Sequence, residues 1–254
     1  MKYVIFQDTR AGKRTYNEDR LGCWQREGSL LLAVADGMGG HAHGEVAAQI
    51  AVDQLGGAFD TEARPKLAAP ERFLGSAIGD AHTQIVQQAR QRKLGDSPRT
   101  TVVACVVQNG GVWWSHVGDS RLYLIRKGRV AARTRDHTYV QHLVDAGKIR
   151  EEAAENHPDR NRVLRCLGGP QPPEIEPVQS MPLEKDDILL LCSDGLWGSL
   201  TERQILIGLI GRDPMGALPE LIALAEARAG ARCDNISVVA MHWQEIESAT
   251  ASRQ

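Results

Sequence analysis

The chain has 254 residues, of which 42% are hydrophobic and 24% charged, and its formal net charge at pH 7 is −2. This length allows one large core, and the small net charge with only 5% aromatic residues argues against a nucleic-acid-binding surface. Five cysteines without a CxxC pair are typical of a reducing compartment. Because no signal peptide and no apolar run of about 18 residues is found, we expect a cytoplasmic protein without a membrane segment.

The first half of the chain alternates between strand and helix patterns. Residues 30–35 are all apolar, which predicts a strand buried on both faces, and Asp36-Gly37 marks the turn that ends it. Apolar residues at helical spacing predict helices over 44–55 and 71–93. Apolar runs separated by turn signals then predict a meander of antiparallel strands at 101–107, 112–117, 122–126 and 129–134.

The second half begins with a polar stretch from 136 to 182, which predicts an irregular surface excursion with one short helical pattern. A second apolar run at 188–193 predicts another buried strand and stops at Asp194-Gly195. Two helices are predicted over 202–210 and 218–229, followed by a strand over 236–242.

These elements amount to two antiparallel sheets with two helix pairs to cover them. The fold class that accommodates them is α+β, in the form of a four-layer α-β-β-α sandwich whose loops gather at one edge of the sheets. No stretch has the composition of a linker, so we expect a single domain over 1–245 and a polar C-terminal tail over 246–254.

Carboxylates stand beside turns at five places, and clustered carboxylates repel one another unless a cation holds them together. An all-oxygen ligand set favours Mg²⁺ or Mn²⁺ over zinc, and a pair of such ions activates water for attack at phosphorus. A single Asp-Gly pair is more often a plain turn, but two of them ending buried strands favour metal ligands. The five places are Glu18-Asp19, Asp36, Asp119, Asp194 and Asp234.

Two further side chains have both a functional and an ordinary interpretation. The planar fork of Arg14 suits a phosphate, although a lone arginine is more often a surface ion-pair residue. His41 lies close enough to Asp36 in sequence to donate a proton to a leaving group, or it is a solvated loop residue. No cysteine begins a Cys-x5-Arg loop and no GxxxxGK[ST] motif occurs, which argues against a cysteine phosphatase and a nucleotide-driven kinase.

Seven motifs in a fixed order resemble those of the metal-dependent, type 2C (PPM) serine/threonine protein phosphatases, and the DGMGG form resembles the bacterial branch. The resemblance covers nearly the whole chain, from about residue 9 to 239. The motifs are GKRTYNED at 12–19, AVADGMGGH at 33–41, TT at 100–101, VGDSR at 117–121, TRDH at 134–137, SDGLW at 193–197 and CDN at 233–235.

The resemblance implies the same sandwich fold and a set of roles around two Mn²⁺ or Mg²⁺ ions. Asp36 would bridge the ions, while Asp194 and Asp234 would complete one of them. The Gly37 carbonyl and the Glu18-Asp19 pair would serve the other ion, and which of these two acids contacts metal directly is left open. Asp119 matches the acid associated with a third, weaker metal in bacterial members.

The resemblance also implies hydrolysis of phosphoserine and phosphothreonine in proteins by a metal-bridging hydroxide, reversing a serine/threonine kinase. Arg14 would bind the substrate phosphate, and residues 138–169 would form the flap beside the active site. Animal and plant members carry a histidine directly after the Asp-Gly pair, whereas this chain has Met38, which leaves His41 or a metal-bound water as the proton donor.

The partners expected on this basis are phosphorylated proteins, including a kinase and its substrates, and we expect a monomer. Two other functions are consistent with parts of the pattern. A catalytically weak relative that binds phosphoproteins would lack ligands, and none is missing here. A two-metal nuclease or phosphodiesterase would need a basic groove, which the charge balance does not favour.

Overall fold

The computed structural model describes residues 1–38, 43–94, 97–154 and 157–245. Within these ranges it contains ten strands and seven α-helices. The strands are β1 (Lys2–Arg10), β2 (Arg20–Arg26), β3 (Ser29–Ala35), β4 (Val102–Gln108), β5 (Gly111–Val117), β6 (Arg121–Arg126), β7 (Arg129–Arg133), β8 (Gln179–Pro182), β9 (Ile188–Cys192) and β10 (Ile236–Glu245). The helices are α1 (Gly44–Glu62), α2 (Pro70–Gln91), α3 (Tyr139–Asp145), α4 (Glu151–Ala154), α5 (Asp194–Trp197), α6 (Glu202–Leu209) and α7 (Pro214–Ala229).

The strands form two five-stranded sheets, and all eight strand pairings among the described residues are antiparallel. One sheet has the order β1-β10-β9-β6-β7, and the other has the order β2-β3-β4-β5-β8. The predicted α+β class with two antiparallel sheets is therefore confirmed. Strands β3 and β9, which end at the two Asp-Gly pairs, belong to different sheets.

The apolar run in β3 is buried at every position, as predicted for a strand covered on both faces. Because side chains alternate along a strand, Leu30, Leu32 and Val34 join a core that also contains residues of β6, β9 and β10 from the other sheet. Leu31 and Ala33 point the opposite way and pack with residues of α1 and α2. The run is apolar throughout because both of its faces meet other layers.

The other sheet is covered in the same way on its outer side. Leu190 and Cys192 of β9 pack in a third core with residues of α5, α6 and α7. There are therefore three apolar clusters among the described residues. One lies between α1, α2 and the sheet that contains β3, one between the two sheets, and one between the sheet that contains β9 and helices α5, α6 and α7. None of the helices in the described ranges is long and apolar enough to cross a membrane.

Three strands were not predicted, and each has a weak sequence signal. Strand β1 alternates between half-buried and exposed residues at the edge of its sheet, and β8 has only four residues and pairs with β5 inside the stretch predicted as irregular. Strand β2 is similarly half-buried. Edge strands bury few side chains, so their sequences lack the continuous apolar run that identifies β3.

Several element boundaries also differ from the prediction; helix α1, for example, continues to Glu62 and does not end at 55. Asp194-Gly195 does not form a plain turn, because Asp194 is the first residue of the short helix α5. Helix α7 begins at Pro214, four residues earlier than predicted, where the Asp213 side chain accepts a hydrogen bond from the amide of Met215. The predicted polar tail at 246–254 lies outside the described residues.

Candidate metal centre

The strand registers bring the predicted acidic residues to one region. Arg20 pairs with Ala35 across β2 and β3, so Asp19 and Asp36 follow on directly at that end. Val238 of β10 and Arg121 of β6 both pair with Cys192 of β9, which places the segments around Asp234 and Asp119 near Asp194. Antiparallel pairing therefore collects carboxylates from five separate segments of the chain.

Asp36 lies at the electrostatic centre of this cluster. Its pKa is raised well above the usual value, first by burial and then by the charges of four other aspartates. Burial also raises the pKa of Asp19 to about 7 and that of Asp194 to about 6, with further increases from Asp234 in both cases. The four aspartates that act on Asp36 are Asp19, Asp194, Asp119 and Asp234.

The donor chemistry of the cluster suits a hard divalent cation, since only oxygen ligands are present and the acids hold one another's pKa values up. In the part of the chain that the structure describes, no group of three acidic, histidine or cysteine side chains is disposed as a ready-made metal cage. The residues present therefore fit Mn²⁺ or Mg²⁺ by charge and donor type, and the acids must close further around an ion.

The backbone of Asp36 is held by two threonines that precede β4. The Asp36 carbonyl accepts hydrogen bonds from the Thr100 hydroxyl at 2.8 Å and from the Thr101 amide at 2.9 Å. The Asp36 amide donates to the Thr101 hydroxyl at 3.2 Å, and that hydroxyl also lies 2.7 Å from Ser120 Oγ. Both threonines are buried, so Asp36 is fixed by neutral groups that leave its carboxylate unneutralised.

Gly37 and Gly44 allow Glu18 to approach the start of α1. A Cβ added to Gly37 would lie 2.5 Å from the carbonyl carbon of Gly44 and 2.6 Å from the Glu18 carbonyl oxygen. A Cβ added to Gly44 would lie 2.8 Å from Glu18 Oε1. The Gly44 amide donates to the Glu18 carboxylate and lowers its pKa, but burial and the charge of Glu45 raise that pKa overall.

Asp19 is 2% exposed and is oriented by serines of the facing sheet. The Ser193 hydroxyl donates a hydrogen bond of 2.7 Å to Asp19 Oδ2, and the Ser237 amide donates to the same Ser193 hydroxyl at 2.9 Å. Because Ser193 directly precedes Asp194, one short segment both orients Asp19 and supplies another acid of the cluster.

Asn235 connects the loop after β1 to the start of β10, and it is 5% exposed. Its side-chain amide donates to the carbonyls of Ala11 at 2.9 Å and Tyr16 at 3.0 Å, and its Oδ1 accepts from the Glu18 amide at 2.8 Å. These three bonds set the path of the segment that carries Glu18. Asn235 was part of a predicted motif, but no role was predicted for it.

Asp119 is 3% exposed and lies next to an aromatic and cationic pair. Its carbonyl accepts a hydrogen bond of 3.0 Å from the Trp197 indole, and the Arg121 guanidinium stacks 3.6 Å above that ring. Burial and the charge of Asp194 raise the pKa of Asp119 well above its usual value, while Arg121 lowers it. Arg121 is itself bound to Asp136 by hydrogen bonds of 2.6 and 2.8 Å.

The predicted residues have different placements relative to the centre. Arg14 is ion-paired with Asp234, with 2.7 Å between Nη2 and Oδ2. His41 lies outside the described residues. The groups whose orienting roles were not predicted are Thr100, Thr101, Ser193 and Asn235; all four stand in motifs quoted above, and Ser193 and Asn235 adjoin an acid in sequence. The acids and the glycine predicted as metal ligands gather around Asp36 and are Glu18, Asp19, Gly37, Asp119, Asp194 and Asp234.

The chain is similar to known proteins over most of its length. The family model "Protein phosphatase 2C" matches residues 7–216. The serine/threonine protein phosphatase PstP of Mycobacterium tuberculosis is 37% identical over 94% of this chain, which spans 44% of that relative's length. A crystal structure of the M. tuberculosis PstP phosphatase superimposes with a TM-score of 0.85 at 33% identity, covering 96% of this chain and 99% of that one. The catalytic domain of a PstP in complex with two manganese ions gives 0.79 at 31%, covering 96% and 100%.

Proposed function

The chain belongs to the protein phosphatase 2C family, and on that premise we propose that it hydrolyses phosphoserine and phosphothreonine in proteins. The observation that carries this proposal is that strand pairing brings four aspartates from four other segments of the chain close to Asp36, where their charges raise its pKa. Such a cluster has no structural purpose without cations, because buried like charges destabilise the fold. A site for divalent cations at the ends of facing strands is what a metal-dependent phosphatase requires.

Two divalent ions would be held around Asp36. We assign the bridging position to Asp36, one ion to Asp194 and Asp234, and the other to the Gly37 carbonyl with Glu18 or Asp19. When bound, the ions supply an activated water and stabilise negative charge on phosphate oxygens. Asp119 is available to a third ion on the side of Asp194. Mn²⁺ and Mg²⁺ both accept this ligand set, and we propose Mn²⁺ from the relative that carries two manganese ions.

Between the two acids of the Glu18-Asp19 pair, the contacts favour different tasks. Asp19 accepts a hydrogen bond from Ser193 and exerts the largest charge effect on Asp36. Glu18 is only partly buried and faces the amide of Gly44 and the charge of Glu45. We therefore propose that Asp19 contacts no ion directly and influences the position and the protonation of Asp36, while Glu18 binds the same ion as the Gly37 carbonyl.

Arg14 is proposed to bind the substrate phosphate. One of its five N–H groups is used on Asp234, and its side chain is 54% exposed, so donors remain for phosphate oxygens. The ion pair keeps the guanidinium beside a proposed metal ligand. Met38 follows the Asp-Gly pair and carries no proton to donate, so His41 or a metal-bound water stays the predicted proton donor to the leaving serine or threonine oxygen.

The predicted flap over 138–169 is proposed to contact the protein substrate. Its two ends are held together by a bridge between Thr138 and Val163 and by a hydrogen bond of 2.9 Å from the Tyr139 amide to the Arg162 carbonyl. Helices α3 and α4 lie within it. We propose phosphoproteins produced by a serine/threonine kinase as substrates, acted on by a monomeric, cytoplasmic enzyme whose catalytic domain spans 1–245.

The proposal is tested by incubating the purified chain with Mn²⁺ and three substrates in parallel: a phosphothreonine peptide, single-stranded DNA and a cyclic dinucleotide. We expect phosphate release from the peptide alone, and loss of that release on chelation of the metal. Cleavage of the DNA or the dinucleotide would support a two-metal nuclease or phosphodiesterase instead. Binding of the phosphopeptide without turnover would support a regulatory relative.

A further inference from the structure

The segment from 17 to 19 carries the proposed metal ligand Glu18 and the acid proposed to act on Asp36, Asp19, but it belongs to no helix or strand. It lies between β1 and β2, so no backbone ladder determines where its side chains point. Asn235 holds this segment from the side of β10, through the Tyr16 carbonyl and the Glu18 amide. A second set of contacts comes from Arg20, which is itself supported by α1.

Those contacts come from the guanidinium of Arg20, the first residue of β2. Its Nη1 donates hydrogen bonds of 2.9 Å to the Asn17 carbonyl and 2.7 Å to the Asp19 carbonyl. The two carbonyls belong to the peptide groups before Glu18 and after Asp19, so a single nitrogen ties together the two ends of the Glu18-Asp19 pair. A planar, permanently charged guanidinium holds such an arrangement better than a flexible ammonium does.

Arg20 is held in place by α1. Its Nε donates to Gln49 Oε1 at 2.8 Å, and Gln49 Nε2 donates to Asp53 Oδ1 at 2.9 Å, one turn further along the helix. One orientation of the Gln49 amide satisfies both partners, because its oxygen accepts from the Arg20 guanidinium and its nitrogen donates to the Asp53 carboxylate. The same helix begins at Gly44, where an added Cβ would lie 2.8 Å from Glu18 Oε1, so α1 contacts the Glu18 side chain directly and supports its backbone through Arg20.

We propose that Arg20 is a positioning residue of the metal centre, which clamps the segment 17–19 so that Glu18 is directed toward its ion and Asp19 toward Asp36 before the ions bind. This inference rests on the metal centre proposed above. Groups that orient metal ligands commonly affect metal affinity strongly without touching the ion. The clamp acts on carbonyls and not on the carboxylates, so keeping the positive charge is not enough to preserve it.

The direct test is Arg20→Lys, measured as Mn²⁺ binding to chelator-treated protein by isothermal titration calorimetry, without substrate. We expect the Kd for Mn²⁺ to rise about tenfold. At saturating Mn²⁺ the KM for a phosphothreonine peptide should be unchanged, because Arg20 does not contact the substrate. Gln49→Ala should raise the Kd in the same direction by a smaller factor, since it removes only the outer support.

Arg92→Lys is the matched control. Arg92 borders the same cleft between α1 and α2, but its side chain donates a hydrogen bond of 3.0 Å to Gln88 in the last turn of α2. The Arg92→Lys variant should bind Mn²⁺ with the same Kd as the unchanged protein. An unchanged Kd in Arg20→Lys would overturn the clamp, as would a weaker affinity that appears equally in Arg92→Lys. If the unchanged protein binds no Mn²⁺, the proposed metal centre fails and the clamp with it, whereas binding without peptide turnover contradicts only the proposed activity.

Discussion

The guanidinium of Arg14 donates a hydrogen bond of 2.7 Å to Oδ2 of Asp234. This contact joins the proposed phosphate-binding residue to a proposed metal ligand, 220 positions apart in sequence. The Asp234 side chain is 38% exposed, and its other oxygen accepts a hydrogen bond of 2.8 Å from the Asn235 amide. A phosphate drawn to Arg14 is thereby placed beside the metal centre.

From this contact we predict that Arg14→Lys raises the KM for a phosphothreonine peptide and changes kcat less. A lysine keeps the charge but loses the fork that binds Asp234 and phosphate together. Loss of one charge-assisted hydrogen bond corresponds to about 1.5–3 kcal/mol, or roughly a 10- to 150-fold rise in KM. Steady-state kinetics at saturating Mn²⁺ measure it, and an unchanged KM would show that Arg14 only stabilises Asp234.

A second prediction concerns Gly44. In Gly44→Ala the new Cβ would lie 2.8 Å from Glu18 Oε1 and 2.9 Å from the carbonyl carbon of Gly37, so Glu18 must move. We expect the metal centre to weaken, with a higher Mn²⁺ concentration for half-maximal activity and a stability loss of about 1–3 kcal/mol.

Gly57→Ala provides the matched control for this substitution. Gly57 lies in the same helix, and a Cβ there would meet nothing within 4 Å. This variant should retain the Mn²⁺ dependence of the unchanged protein and gain about 0.5–1 kcal/mol, since alanine favours the helix interior. Equal behaviour of the two variants would mean that the close approach of Glu18 is unimportant.

A third prediction concerns Asn235. Replacement by alanine leaves the carbonyls of Ala11 and Tyr16 and the amide of Glu18 without their side-chain partner. We expect a loss of about 1–3 kcal/mol for each group that stays dry, less where water enters. Asn235→Asp keeps the acceptor for Glu18 but turns a carboxylate oxygen toward the two carbonyls and adds a buried charge beside Asp234, so in urea unfolding it should be no more stable than Asn235→Ala. An order in which Asn235→Asp is the more stable of the two would contradict the account.

A fourth prediction is a pH dependence of stability in the metal-free protein. The pKa of Asp19 is raised from 3.8 to about 7, so the folded state binds more protons than the unfolded state between these values. The stability that goes with this proton is complete below about pH 4 and is lost as the pH rises through about 7. The raised pKa of Asp36 likewise makes the metal-free protein less stable as the pH rises.

The measurement belongs between pH 6.5 and 8, because His137 opposes the acids below that range. Burial lowers the pKa of His137 from 6.5 to about 4, which adds stability as the pH rises to about 6.5 and none above. Thermal unfolding in the presence of a chelator should show Tm falling from pH 6.5 to 8, and Mn²⁺ should raise Tm more at pH 8. A metal-free Tm that is constant or rises over this interval would contradict the charged cluster.

The strands predicted from a continuous apolar run are those buried on both faces, whereas the edge strand β7 was predicted from the turn signal before it. The runs at β3 and β9 are apolar at every position because both sides pack against other layers, and the Asp-Gly pairs after them mark the chain leaving the core. Strands β1 and β8 lie at sheet edges, where exposure allows polar residues and weakens the pattern.

In the candidate site, too, some residues were predictable from the sequence and others were not. Its acids were predictable because unpaired carboxylates next to buried strands need a partner, whatever the fold. Their neutral supports were not, since Thr100, Ser193 and Asn235 are ordinary residues until register and topology bring them beside a backbone group far away in sequence. The Arg20 clamp depends on α1 passing over the loop, which the local sequence does not indicate.

The central claim is that Asp36 and its neighbouring acids hold the metal ions that make this chain a phosphoprotein phosphatase. The most direct measurement is Mn²⁺-dependent phosphate release from a phosphothreonine peptide by the unchanged protein and by Asp36→Asn. The variant should lose activity by several orders of magnitude while its metal-free form becomes more stable at pH 8, because one buried charge is removed. Undiminished turnover by Asp36→Asn would contradict the account.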